Sequence, residues 1–422
     1  MRALLFETSH KRFFYGWAIL AVATIAMFAT GPGQSHTFGI FVDLIAADLD
    51  ISTTSVASSY AFATLIASFG LSRMGRVVDR FGPRKALLGI VTLLGVSCFA
   101  FGAVAGVITL SIGFMFLRFL GQGSMMLGSA NLIAQWFNAR RGVAMSIMML
   151  GFSASVAVHP SLAQWLIETV GWRQAWFWLG GMTWILMLPL IFLFVHDKPE
   201  PLGLRPDGVK PDPADSESAA PALTGLTQHQ ALRTPAFWII VTCMFMPAML
   251  VTALFFYQVS IFEQHGLSRT LAASVFGVSA LSMAIAMPIY GWCLDKVDPK
   301  YVLASALLLL AGSLVGITFV YTPAQAMAYA ILFGANSAAM MTLFGFLFAH
   351  YFGRKHLGSI QGLGQTIGVV GASIGPLPLG VAIDTFGSYD GTLRGLALLP
   401  VAAAVLALFL RVPETPATEK ED

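Results

Sequence analysis

Three ionisable side chains, His36, Arg118 and His159, stand deep inside stretches that otherwise hold only uncharged residues. A charge in hydrocarbon is costly, and the ionisable groups that persist there mark substrate or ion pathways and proton relays. Counted from one end of each apolar stretch, Arg118 lies about nine residues in, His159 about eight or nine and His36 about six or seven. At 1.5 Å per residue those depths are roughly 9–14 Å, close to the middle of a ~30 Å hydrocarbon layer. Three potential cations at one depth describe an anion site. Each also has a plainer role open to it. Arg118 can tie helices together through backbone carbonyls, and His159, just before Pro160, can bond a neighbouring carbonyl. His36 closes the triplet Gln34-Ser35-His36 after the break Gly31-Pro32-Gly33, where unwound backbone can also meet a ligand. If a helix resumes there, Ile40 and Asp43 share a face with His36, and Asp43 is either a proton relay or a solvated end residue. No carboxylate lies at mid-depth, so any coupling falls to His36, His159, Asp43 or the carboxylate of the substrate itself.

The second half of the chain offers polar and aromatic groups instead: Tyr257, Gln258, Tyr290, Asn336, Gln361 and Gln365. Gln361 and Gln365 are one helical turn apart and share a face. Cations on one wall and apolar or aromatic groups on the other suit a small amphipathic anion, although packing explains the tyrosines equally well. Other chemistries lack their residues. The chain holds no phosphate-cradling pattern, no metal-ligand cluster and no nucleophile–base motif. Cys98, Cys243 and Cys293 have neither metal spacing nor a disulfide framework and read as apolar fillers. No enzyme activity, cofactor, metal or nucleic-acid partner is expected.

The elements that position these residues are membrane spans. Of the 422 residues 57% are hydrophobic and 11% charged, with mean hydropathy +0.76, too little charge to cover a water-soluble surface. Twelve apolar stretches are predicted, at 14–42, 54–75, 84–105, 109–135, 142–167, 172–195, 234–262, 270–294, 300–320, 323–350, 357–383 and 389–411. Segment 196–233, rich in Pro, Asp, Ser and Ala, reads as a solvated cytoplasmic linker between a bundle at 1–195 and a bundle with a short tail at 234–422. With the N-terminus inside, twenty Lys and Arg lie on the cytoplasmic side and only Arg173, Arg269 and Arg394 outside. That bias predicts both termini in the cytoplasm.

The halves echo each other. Gly75-Arg76-Val77-Val78-Asp79-Arg80-Phe81-Gly82-Pro83-Arg84-Lys85 returns 216 residues later as Gly291-Trp292-Cys293-Leu294-Asp295-Lys296-Val297-Asp298-Pro299-Lys300. Trp136-Phe137 with Arg140-Arg141 returns as Tyr351-Phe352 with Arg354-Lys355. Parallel six-helix repeats belong to secondary transporters that rock two halves about a central site. Paired interruptions at Gly31-Pro32-Gly33, Pro247, His159-Pro160 and Gly375-Pro376 point to where that site lies. The repeat places Phe333 where the first half has Arg118.

These motifs resemble the major facilitator superfamily. Gly75, Asp79, Arg80, Gly82, Arg84 and Lys85 look like its motif between spans 2 and 3, and Arg118 with Gln122-Gly123 like its span-4 motif. The run from Trp136 through Arg140-Arg141-Gly142 to Gly151, with Tyr15-Gly16-Trp17, resembles the monocarboxylate porter and oxalate–formate exchanger branch. That branch carries charges in spans 8 and 11. Here 272–290 and 358–383 have none, so its C-terminal clamp cannot be transferred. The resemblance implies an all-α fold of twelve transmembrane helices and alternating-access transport. It also implies a cytoplasmic lock made by Gly75, Asp79, Arg80, Gly82, Arg84 and Asp295, with Arg84 holding Asp79. The expected protein is a monomer in the inner membrane that moves a small organic anion, a monocarboxylate, with protons as the candidate coupling ion. The candidate binding residues are Gln34, His36, Arg118, Gln122, His159, Tyr257, Asn336, Gln361 and Gln365. The alternative is a carrier of an uncharged or amphipathic compound.

Overall fold

In the computed structural model, residues 14–137, 140–208, 225–353 and 357–413 are described. Among them the chain is helical, with one isolated bridge between Gly225 and Gly353. Among the described residues eleven helices are long and apolar enough to cross a membrane. They begin at Thr53–Val78 and end at Asp390–Ala407, and short connections join them except between Phe194 and Pro235. Glycine makes two of these turns. Gly82 and Gly171 sit at φ 82° and 83°, a region that side chains avoid, which lets span 3 follow span 2 and span 6 follow span 5 at once. Large apolar side chains such as Ile108, Ile185 and Phe386 are mostly exposed, as expected where lipid is the solvent.

The first span is divided. Helix Gly16–Phe28 gives way to a 3-10 turn at Gly31–Gly33, a single turn at Ser35–Phe38 and a last piece at Val42–Asp48. Span 11 divides likewise, between Leu357–Ile374 and Leu377–Phe386, at Gly375-Pro376. The other two expected interruptions do not occur. Helix Arg141–Val170 runs through Pro160, and Pro235–Gln264 runs through Pro247. A proline removes one ladder hydrogen bond, and neighbouring packing can hold the helix together past it.

The chain forms two compact units, Met1–Asp215 with Phe255–Ala280, and Ser216–Leu254 with Leu281–Asp422. The first is centred on aromatic rings. Phe38, Phe101, Phe114 and Trp176 are fully buried, with centroids 4.5–6.2 Å apart in the contacts Phe101–Trp176, Phe38–Phe114 and Phe38–Phe101. Glycine sets how closely the backbones approach: a Cβ on Gly33 would strike the Leu117 carbonyl and lie 2.7 Å from the Cα of Gly121. Gly151 packs against the Thr24 carbonyl in the same way, so spans 4 and 5 both press on span 1. The second unit is cored by Phe237, Leu303, Leu307, Leu343, Leu347 and Phe348. There the buried Cys243 thiol donates to the Ala403 carbonyl at 3.4 Å. Where the first unit has Arg118, Phe333 stacks on Tyr329 at 5.7 Å.

Candidate functional site

Arg118 opens a π-helical stretch, Arg118–Ser124, in the middle of span 4. Such local widening of a helix recurs at functional positions. The arginine is 3% exposed. Its Nη1 donates to the Gly33 carbonyl at 3.1 Å and reaches the Ser35 hydroxyl at 3.5 Å. The guanidinium lies 5.0 Å from the centre of the Tyr60 ring, whose hydroxyl shares a 2.7 Å hydrogen bond with Ser35. The broken span 1 explains this contact, since a carbonyl released from a helix is free to accept. Arg118 therefore ties span 4 to the broken span 1. Yet its Nε has no partner, and among the described residues no carboxylate pairs with it.

The two histidines meet at one residue that sequence reasoning missed. His36 Nε2 is 3.2 Å from the Ser155 hydroxyl, and the same hydroxyl is 3.1 Å from His159 Nδ1. His159 Nδ1 also lies 3.3 Å from the Ser155 carbonyl. Both imidazoles are buried, His36 against Phe152 and Phe255, His159 against Phe28 and next to Gly31. Ser155 is one turn before His159, so an i, i−4 search from the histidine would have found it. Gln34 is buried and donates to the Thr30 hydroxyl at 3.2 Å.

Asp43 has a different setting. The helix restarts only at Val42, so the face shared with His36 does not form. Its carboxylate accepts from Ser260 at 2.6 Å and lies 4.0 Å from Arg269. Arg269 also pairs with Glu263 at 2.7 Å and donates to the Ile40 carbonyl at 2.7 Å. These contacts, with Tyr60 against Phe256 at 4.8 Å and Thr270 donating to Glu168 at 3.0 Å, fasten Phe255–Ala280 within the first unit.

The remaining candidates are placed as follows. Gln122 is half-buried within the π-helical stretch. Tyr257 is fully buried and edge-on to Phe256 at 5.2 Å. Its neighbour Gln258 is also fully buried, and both atoms of its amide lack partners among the described residues. Asn336, in the second unit, is in the same condition. On span 11 Gln361 is half-buried and Gln365 exposed.

In the expected lock, Gly82 takes the turn between spans 2 and 3, and Arg80 lies 5.4 Å from the Phe81 ring. The Arg84 amide donates to Asp197 at 2.8 Å and its Nη2 to the Phe192 carbonyl at 3.0 Å. Gly75 packs beside Leu127. The side chains of Asp79 and Asp295 lie outside the described residues, as do residues 209–224 of the linker.

Comparisons with known proteins agree with this architecture. The chain is 25% identical to monocarboxylate transporter 13 of Bos taurus over 93% of its own length and 89% of that protein's. It is 23% identical to the gallate transporter of Pseudomonas putida over 96% and 94%. Its fold matches the crystal structure of a bacterial homologue of the human lysosomal transporter Spinster, with a TM-score of 0.71 at 14% identity, covering 96% of this chain and 99% of that one. The Major Facilitator Superfamily profile matches residues 17–262 and 253–422, and the chain belongs to that superfamily of multi-pass membrane transporters.

Proposed function

We propose that this protein carries a small organic anion, a monocarboxylate, across the cytoplasmic membrane by alternating access, with both termini in the cytoplasm. The observation that carries the reading is Arg118: a buried guanidinium tied to a carbonyl and a hydroxyl but paired with no described carboxylate. An uncompensated charge at that depth is costly, and an entering carboxylate offsets it. His36 and His159 supply further donors, and Phe28, Phe152 and Phe255 supply apolar contact for the rest of a small acid. The names of the bovine and Pseudomonas relatives, a monocarboxylate and a gallate transporter, support the same class. The excess of Lys and Arg on one side supports the orientation. Purified protein in liposomes should exchange labelled L-lactate or gallate saturably. Arg118→Ala should weaken that exchange by at least about tenfold, the loss expected for a hydrogen bond to a charged group. Competition by benzamide but not by benzoate would instead favour an uncharged substrate.

A further inference from the structure

We infer that Ser155 is a proton relay between His36 and His159, and that this pair holds the one proton that moves with the carboxylate. The inference rests on the carrier reading above. A hydroxyl has one hydrogen to give and two lone pairs to accept with. The Ser155 hydroxyl has an imidazole nitrogen on each side, at 3.2 and 3.1 Å, one ring from span 1 and one from span 5. In the neutral cluster one ring donates to the oxygen and the oxygen donates to the other ring. When His36 is protonated, its Nε2–H passes to the serine oxygen while the serine hydrogen passes to His159 Nδ1. One N–H and one O–H bond break, one of each forms, and the positive charge crosses from one span to the other. The relay resets when His159 gives up its added proton, His36 takes up another and the hydroxyl rotates back toward His159.

The surroundings limit the pair to one added proton. Span 4 contributes Arg118, whose guanidinium reaches the hydroxyl of Ser35 beside His36 in the chain, and span 2 contributes Tyr60, bonded to the same hydroxyl. Span 7 contributes Phe255, and span 1 contributes Gln34, Ser35 and Phe28. Other charges of the packed elements are occupied elsewhere: Asp43 with Ser260 and Arg269, Glu263 with Arg269, Glu168 with Gln164 and Thr270, Arg173 with Asp48. Arg118 therefore opposes a protonated pair while the site is empty. A bound carboxylate offsets Arg118 and favours the proton, and by linkage the proton favours the carboxylate by the same factor. Anion and proton then travel together, although no carboxylic acid side chain lies at mid-membrane.

The test compares two modes in liposomes, with L-lactate and gallate as probes. Counterflow exchanges probe for probe and needs no net proton movement. Uptake driven by a pH gradient, followed with a trapped pH dye, needs it. Ser155→Ala should lower gradient-driven uptake and proton entry about tenfold or more beyond any loss of counterflow, in keeping with the usual worth of a positioned proton-transfer group. Ser155→Thr, which keeps the hydroxyl, should restore most of the difference. Equal loss in both modes, unchanged accumulation in Ser155→Ala, or probe flux without protons in the unmodified protein would each overturn the relay. Absence of any carboxylate exchange in the unmodified protein would remove the carrier reading instead. The relay would then be judged without substrate, from nitrogen-15 spectra of the imidazoles. His159→Gln should change the tautomer of His36 when Ser155 is present and leave it unchanged in Ser155→Ala. An identical response in both backgrounds would overturn the relay.

Discussion

At the scale of single residues, the first unit concentrates positive or protonatable groups, and some buried polar groups there lack a hydrogen-bond partner among the described residues. Gln258 is the clearest case, because at zero exposure both halves of its amide are unmatched among the described residues. A buried amide without partners costs about 1–3 kcal/mol. Gln258→Leu should therefore raise the stability of the solubilised protein by about 1 kcal/mol in denaturant unfolding, while affinity for gallate falls. Higher stability with unchanged affinity would remove Gln258 from the ligand's path. The sequence exposed Arg118, His36 and His159 because charge is rare in apolar runs. It did not expose Ser155, since serine is common in membrane helices and only its contacts distinguish it. Nor could the sequence show Tyr60, whose link to Ser35 depends on the packing of span 2 against the break in span 1.

At the scale of elements, the breaks in spans 1 and 11 were legible because glycine and proline adjoin there. Pro160 and Pro247 sit inside continuous helices, because an isolated proline in a packed helix need not end it. The π-helical stretch at Arg118–Ser124 was illegible: an altered hydrogen-bond step leaves no mark in composition. Its position opposite the 3-10 turn is what brings Arg118 to the Gly33 carbonyl. That crossing tolerates no added atom. Gly33→Ala would press a methyl group into Leu117 and Gly121, and should destabilise the protein by about 1–3 kcal/mol in thermal or denaturant unfolding. A variant as stable as the parent would show that the crossing is looser than the geometry implies.

At the scale of the whole molecule, a duplicated scaffold carries unequal chemistry. Arg118 has Phe333 as its counterpart, and the fuller of the two echoing loops is Gly75–Lys85. The lock expected of that loop predicts a kinetic effect. Asp79→Asn should slow counterflow about tenfold while probe affinity changes less than about twofold, as for a residue that governs a conformational step. Parallel loss of rate and affinity would place Asp79 outside the gate.

The allotment of Phe255–Ala280 to the first unit bears on how the gene can be divided. A cut in the 196–233 linker respects the duplication but not the compact units. It leaves the N-terminal product with the Ile40 carbonyl, Asp43 and Tyr60 stripped of Arg269, Ser260 and Phe256. The two products of such a split gene should complement one another only when made together, and the N-terminal piece alone would present an unfilled docking face for the missing helical hairpin.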